Sequence, residues 1–254
     1  MKSFRRVALG LTPPVAIVLL WWYVTYTGKV PPMILPSLPA VGNAFKNNVL
    51  SGQLLADLGI SLTRVVKGYL VAASLGVVVG TLIGVSRRFD ELLSPTLHAI
   101  RSIPMMAWLP LIILWCGIGE ESKIVIIVIS AFFPVMINTI GGITDTPQQY
   151  LEVARLGKMG AFRTFWKVYL PSAVPQIFVG LRLGLSISWI ALVASELLAA
   201  NSGIGFRISD SRIKIRPEGI FMGIIVIGII GVILDKGLTT IAKRATRWNS
   251  GGKE

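Results

Sequence analysis

Long apolar segments constrain the fold of this chain more than any other feature of its sequence. About 20 consecutive apolar residues form a helix long enough to cross the hydrocarbon core of a bilayer. Such segments lie at roughly 10–27, 62–86, 94–117, 123–143, 172–200 and 218–240. With 53% hydrophobic and only 15% charged residues, the composition is also that of a membrane protein. We therefore predict an all-α membrane protein with about six transmembrane helices, folded as a single domain over residues 1–254.

The distribution of lysine and arginine predicts how these helices are oriented. Basic residues at the N-terminus, the second and fourth connections and the tail outnumber those on the other side of the membrane by about two to one. Cytoplasmic loops carry this excess of positive charge. Both termini are therefore expected in the cytoplasm, in a chain that crosses a bacterial inner membrane several times. The basic stretch FRISDSRIKIRP, residues 206–217, falls on the outer side and runs against the rule.

The sequence lacks the residues that several kinds of active or binding site require. His98 and Cys116 are the only histidine and cysteine, so a disulfide, a zinc or haem site or a catalytic triad within one chain is not expected. No G-x-x-x-x-G-K-[ST] loop is present to hold a nucleotide phosphate. The basic residues are not gathered into a stripe, so nucleic acid is not an expected partner. We expect a protein that is not an enzyme and binds no metal or cofactor itself; any ATP is bound by a partner.

Small residues recur every four positions in the second apolar segment. This spacing places them near one helix face and lets another helix backbone approach closely. The stripe consists of Gly68, Ala72, Gly76, Gly80 and Gly84, and Gly180, Gly184 and Ser188 repeat the pattern in the fifth segment. The partner helix belongs either to the same chain or to a second copy, and the spacing alone does not choose between them.

A charged connection, about 145–171, separates the fourth and fifth apolar segments. Thr146 is expected to cap a helix that begins at Pro147, with Gln149 completing a capping box. This helix should run for about three turns. The turn that follows it is supplied by Gly157 and Gly160.

The second half of the connection, AFRTFWKVYLP at 161–171, has aromatic side chains on one helix face and basic side chains on the other. This pattern is typical of a helix lying at the membrane interface. Pro171 is expected to end or kink it before the next span. The whole connection therefore predicts an elbow with a polar helix that projects into the cytoplasm.

The connection resembles the EAA loop of ABC-importer permeases, which begins with Glu-Ala-Ala, continues to a glycine and ends with an apolar residue and proline. The matching residues are Glu152, Val153, Ala154, Leu170 and Pro171. The departures are Val153 in place of alanine and Lys158 in place of the glycine, with Gly157 one position early. The resemblance implies a coupling helix that an ATPase subunit grips through Thr146, Gln149, Glu152, Val153, Ala154, Arg155, Gly157, Lys158 and Gly160.

The resemblance extends from about Leu62 to Gly223. The stretches LHAIRSIPMMAWLPLIILWCGIGEESK and LPSAVPQIFVGLRLGLSISWIALVASELLAANSGIGF are similar to the branch of that family that imports taurine, aliphatic sulfonates, nitrate and related anions. The resemblance implies a type I ABC-importer permease fold and a homodimer whose two chains form the pathway. It also implies two ATPase subunits that bind ATP and magnesium, and an extracytoplasmic solute-binding protein.

Charged and polar residues within the apolar segments are candidates for the translocation pathway, because intramembrane charge is costly. Arg101 and Arg182 either attract an anion in the pore, or snorkel to the headgroups or pair within the protein. Glu196 would repel an anion, and either pairs with an arginine or lines a gate. Pro104 and Pro110 interrupt the third segment, so neighbouring side chains either line the pore or pack in the core. The remaining candidates are Met105, Met106, Trp108, Asn138, Ser186 and Trp189.

Two other classes of protein compete with this interpretation. A secondary carrier would be marked by inverted internal repeats, and the sequence shows none. A membrane-embedded enzyme would need clustered catalytic or metal-binding residues in the spans, and the single His98 argues against it.

Overall fold

All regular structure in the described part of the chain is helical, as predicted. The computed structural model describes the backbone of residues 2–248, and the side chains of residue 10 and residues 12–248. The helices are α1 (Lys2–Tyr26), α2 (Leu38–Leu50), α3 (Gln53–Val85), α4 (Arg87–Arg101), α5 (Met105–Cys116), α6 (Glu120–Thr144), α7 (Gln148–Leu156), α8 (Ala161–Thr164), α9 (Leu170–Ala199), α10 (Ile204–Ile213) and α11 (Pro217–Ala245). Four basic residues used to predict the orientation lie outside the described side chains: Lys2, Arg5, Arg6 and Lys253.

Four helical stretches in the described residues are long and apolar enough to cross a membrane. They contain α3, α6, α9 and α11. The bent pair α4 and α5 makes a fifth if it is counted as one span. The first predicted segment, 10–27, falls on the 25-residue helix α1, which is not among these stretches. Counting α1 as well gives the six helices predicted.

The third predicted segment, 94–117, is interrupted at Pro104, as the sequence predicted, but not at Pro110. It falls on α4 and α5, which meet at 94°. Pro104 precedes α5 with an extended ψ of 134°. Proline has no N–H and disfavours the helical conformation of the residue before it, so the first helix ends at Arg101. Pro110, in contrast, lies inside α5.

The core consists of α3, α6 and α9, which approach one another at small residues. A Cβ atom built on Gly76 of α3 would lie 2.8 Å from the Cβ of Val135 in α6. One built on Gly80 would lie 2.7 Å from the carbonyl oxygen of Met136. A Cβ built on Gly184 of α9 would lie 2.9 Å from Cγ2 of the same Val135. The stripe of small residues therefore packs within one chain.

The contacts between α3 and α6 also fix their relative direction. Gly68 opposes Ile127, and Gly84 opposes Ile143 at the far end. The two helices are therefore parallel, with their starts at one end of the bundle and α7 following at the other. We call these the α6-start end and the α7 end.

A single helical path leads from the charged connection into the core. α8 passes through a π-helical turn, Phe165–Tyr169, directly into α9, and the residues at the two junctions, Thr164, Phe165, Tyr169 and Leu170, keep helical dihedral angles. Pro171 lies in the first turn of α9, so it does not end the helix. Proline cannot donate the hydrogen bond of its turn, and a π turn is a common way to absorb such a defect. We call the continuous helix from Ala161 to Ala199 the lever.

Substituting Gly80 with alanine should destabilise the protein by about 1–3 kcal/mol, because the new Cβ would press on a backbone carbonyl rather than on a flexible side chain. Gly59→Ala is the matched control, since a Cβ at this position of α3 meets nothing within 4 Å. The measurement is the thermal unfolding midpoint of the purified proteins in detergent. Equal midpoints for the two variants would contradict the packing.

Candidate functional site

The short helix α7 leaves most of its apolar side chains outside the protein. Ala154 is buried, whereas Tyr150, Val153 and Leu156 are 58%, 68% and 84% exposed. A cavity of about 510 Å³ separates α7 from the lever, with Lys167 in its wall. Tyr150 and Val153 also line this cavity, so the apolar side chains of α7 are not covered by the rest of the chain.

The start of α7 differs from the prediction. The helix begins at Gln148, with Pro147 as its N-terminal flanking residue. The hydroxyl of Thr146 is buried and has no hydrogen-bond partner among the described residues, so the capping box with Gln149 does not form. Pro147 has an extended ψ of 130° and itself takes the N-cap position, so Thr146 lies one residue too early to cap the helix.

The turn after α7 gives a physical reason for a glycine at position 158. Lys158 has a φ of 49°, in the left-handed region that favours glycine. The amide of Met159 donates to the carbonyl of Ala154 at 3.0 Å, and the amide of Lys158 to that of Arg155 at 2.9 Å. These two bonds make a Schellman motif. Gly157 and Gly160 have φ values of −75° and −66°, so the left-handed step of the predicted turn is made by Lys158 instead.

The structure places the predicted coupling residues on one segment. Seven of them are exposed: Gln149, Glu152, Val153, Arg155, Gly157, Lys158 and Gly160. Thr146 and Ala154 are buried. Tyr150 and Leu156, which were not among the predicted coupling residues, contribute the larger part of the exposed apolar surface.

A buried ionic network holds the α6-start end together. Arg64 of α3 is only 2% exposed. Its Nη1 donates to Glu196 Oε1 at 2.7 Å and to the Ser202 carbonyl at 2.9 Å. Its Nε donates to Glu120 Oε2 at 2.7 Å, and its Nη2 reaches the other oxygen of Glu120 and the Ser202 hydroxyl. Every N–H group of this guanidinium therefore has an acceptor.

Glu196 lies inside the network rather than in an open channel of the subunit. It is 1% exposed. Its Oε1 accepts from the Ser61 hydroxyl at 2.8 Å, and its Oε2 accepts from the Gly205 amide at 2.9 Å. Of the two interpretations left open by the sequence, pairing with an arginine is the one observed.

A second ion pair extends the network to α10. Asp57 binds Arg207 and also accepts from the amide of Gly203 at 3.0 Å. The sequence prediction left Asp57 and Ser61 outside the second span because it began that span at 62. Asp57, Ser61 and Arg64 have i, i+4, i+7 spacing, and this polar face is the signal that would have extended the helix.

Three predicted pathway residues meet where α4 joins α5. Arg101, Met105 and Trp108 line a cavity of about 310 Å³. Ser130 of α6 also lines it, and its buried hydroxyl has no partner among the described residues. Met106 is 53% exposed and lies outside the cavity wall.

The other predicted pathway residues lie elsewhere. Arg182 binds Asp235 of α11 through two hydrogen bonds, at 2.5 and 2.8 Å. Trp189 is buried and donates to the Ile227 carbonyl at 3.1 Å. Asn138 bridges the Pro134 carbonyl and the Gln176 side chain, and Ser186 is half-buried. One subunit therefore does not gather all the predicted residues into a single site.

Replacing Lys158 with glycine should stabilise the protein by about 1 kcal/mol, because glycine adopts the left-handed conformation without the Cβ clash. Lys158→Ala is the matched control, since it removes the charge but keeps Cβ. Thermal unfolding in detergent measures both. A midpoint for Lys158→Gly no higher than that of Lys158→Ala would show that the turn is not strained.

Arg182→Gln should lower the unfolding midpoint, because it leaves the carboxylate of Asp235 without a cation inside a span. The double variant Arg182→Gln, Asp235→Asn removes both charges and should recover most of the loss. A double variant as unstable as the single one would show that the pair is not coupled.

Comparison with known proteins identifies the family of the chain. Residues 74–247 match the family model described as "Binding-protein-dependent transport system inner membrane component". The chain is 37% identical to the aliphatic sulfonates transport permease protein SsuC of Bacillus subtilis, over 95% of this chain and 87% of that protein. It is 33% identical to the taurine transport system permease protein TauC of Escherichia coli, over 96% and 91% of the two chains. It is 37% identical to the nitrate import permease protein NrtB of Synechocystis sp., over 87% and 83%.

A solved structure confirms the fold. A chain of the MetNI methionine ABC transporter, in an inward-facing conformation, aligns with a TM-score of 0.63 over 74% of this chain and 93% of that one, at 17% identity. The type I ABC-importer permease fold implied by the EAA-like loop is therefore the fold observed. This chain belongs to the family of binding-protein-dependent transport system inner membrane components and is a multi-pass permease subunit of the sulfonate, taurine and nitrate branch.

Proposed function

We propose that this permease forms, as a homodimer, the membrane pathway of an ATP-driven importer for a small anion. In this proposal two ATPase subunits bind ATP and magnesium and grip α7, and an extracytoplasmic binding protein delivers the solute. The single observation that carries it is the exposed apolar surface of α7. Exposed apolar side chains of this size mark an interaction site.

The surface of α7 has the composition of a protein interface. Tyr150, Val153 and Leu156 form its apolar part, and Glu152 and Arg155 are exposed beside them. Such interfaces commonly have an apolar centre with a charged rim. A cytoplasmic ATPase with a matching cleft would cover these side chains and pair with the rim charges.

The lever supports a mechanical role for α7. The Schellman turn fixes α7 to the start of the lever, and the lever runs without interruption from Ala161 into the core. A helix transmits displacement along its axis because each turn is hydrogen-bonded to the next. Closure and reopening of an ATPase dimer would move the two copies of α9 and switch the pathway between outward and inward access.

The contacts of both terminal helices support cytoplasmic termini. Trp248, beyond α11, lines the same cavity as Tyr150 of α7, so the tail lies at the α7 end. Trp21, near the end of α1, packs against Phe221, near the start of α11, with ring centroids 5.1 Å apart. The end of α1 therefore lies with the start of α11, and α1 begins at the α7 end. If the ATPase grips α7, both termini face the cytoplasm.

The anion assignment draws on the relatives and on charge. The related permeases are named for aliphatic sulfonates, taurine and nitrate, which all carry an oxyanion. Arg101 lines the cavity at the junction of α4 and α5 and forms no ion pair with a described residue. A free guanidinium in a pathway favours an anion by Coulomb attraction.

Disrupting the surface of α7 should uncouple the importer. In proteoliposomes containing the permease, its ATPase and its binding protein, Leu156→Asp or Glu152→Lys should reduce binding-protein-stimulated ATP hydrolysis by about tenfold or more, because docking loses apolar contact or gains a repulsive charge.

The matched control is Glu91→Lys on α4, which breaks only an exposed pair with Arg87 and should leave hydrolysis unchanged. Normal hydrolysis and uptake in the α7 variants would overturn the docking proposal. Uptake that survives complete ATP depletion while an ion gradient persists would instead favour a secondary carrier.

A further inference from the structure

Lys67 is a positively charged residue in a membrane span. It forms no ion pair with a carboxylate among the described residues. It lies on α3, three residues after Arg64, which is about 4.5 Å of helix rise. Its side chain is exposed, and it forms no hydrogen bond or ion pair with a described residue. An intramembrane charge of this kind is by default a candidate for function.

Lys67 lines a polar cavity at the α6-start end. The cavity has a volume of about 450 Å³ and lies between α3, the start of α6 and the loop after α9. Its lining from α3 consists of Ala56, Gly59, Ile60, Thr63, Arg64 and Lys67. The spacing of these residues puts most of them on one helix face. A face with small and polar side chains and a lysine is poorly suited to lipid and well suited to water.

The other charged side chains near the cavity already have hydrogen-bond or ion-pair partners. Arg64 is saturated by Glu120, Glu196 and Ser202. Lys123 is 2% exposed and donates to the Gly119 carbonyl at 2.7 Å. Glu120 lies close enough to attract Lys67, but Arg64 binds both of its carboxylate oxygens. Lys67 is therefore the one cation of these three that is open to an incoming ligand.

A second cavity lies farther along α3, on the way toward Arg101. Two turns along α3, Leu75 lines this cavity with Phe132 and Trp108. Trp108 also lines the cavity that contains Arg101. Lys67 and Arg101 thus each line a cavity on α6, and an apolar cavity that shares Trp108 with the Arg101 cavity lies on the intervening part of α6.

We propose that Lys67 selects the charge of the solute at the outer mouth of the pathway, where it binds the oxyanion group of a sulfonate- or nitrate-type anion released by the binding protein. This inference rests on the proposed function and adds the residue that recognises the anion. A cation in a narrow mouth raises the local concentration of anions, because the low-dielectric walls focus its field. The same ammonium would bind the phosphate of a lipid headgroup if the cavity faced lipid, and transport measurements separate these two cases.

The experiment measures uptake of taurine, an alkanesulfonate and nitrate by proteoliposomes that contain the full complex at saturating binding protein. For the anion that the wild type transports, Lys67→Gln should slow uptake by about tenfold and Lys67→Glu by more. Lys67→Arg should retain most of it. Binding-protein-stimulated ATP hydrolysis should stay within about twofold in all three variants, since Lys67 is remote from α7.

Lys46→Gln is the matched control, because Lys46 is an exposed lysine of α2 outside this cavity, and its uptake should be unchanged. Wild-type uptake by Lys67→Glu would overturn the proposal and assign Lys67 to the lipid headgroups. Equal loss of uptake and stimulated hydrolysis in Lys67→Gln and Lys67→Arg would also overturn it, because the role would then be structural. Failure of the proposed function itself is distinguishable, since the wild type would then show no ATP-dependent uptake of any of the three anions.

Discussion

The close approach of three helix backbones is the constraint on which the rest of this molecule depends. Within a bilayer, apolar side chains gain little by leaving lipid for protein, so helices associate through tight van der Waals contact at small residues. Gly76 and Gly80 bring α3 onto α6, and Gly180 and Gly184 bring α9 onto α6 as well. The resulting body is rigid because the contacts involve backbone atoms, which cannot move aside as a side chain can.

The two ends of this body are held in different ways. At the α6-start end, Arg64 joins α3, α6 and α9 through charge-assisted hydrogen bonds that satisfy each N–H group. Breaking such a buried pair on one side leaves an uncompensated charge, so the network holds these elements in one arrangement. At the α7 end, only Ala154 of the short helix is buried. Few buried contacts therefore oppose a displacement of α7, and this displacement is passed on to the lever.

Features set by local sequence were predictable, and features set by tertiary contacts were not. The small-residue stripe and the apolar segments follow from composition and period, and the structure has both. The start of α3 was missed because a charged residue such as Asp57 looks like a loop residue until Arg207 is known to lie beside it. Pro104 predicted an interruption, since proline removes a hydrogen bond. The angle between α4 and α5 is 94°. It depends on how the two helices pack, so Pro104 alone does not predict it.

The two departures from the EAA-like pattern fall where the structure can accept them. Val153 is exposed, so there is room for a side chain larger than alanine, and it adds apolar area to the surface of α7, whereas the neighbouring Ala154 is buried and has no such room. Lys158 carries the cost of a left-handed conformation, about 1–2 kcal/mol. Its positive charge lies beside the C-terminus of α7, where the helix dipole favours a cation by about 0.3–1 kcal/mol. The favourable charge offsets part of the strain, which is how a lysine is tolerated at a turn whose geometry calls for glycine.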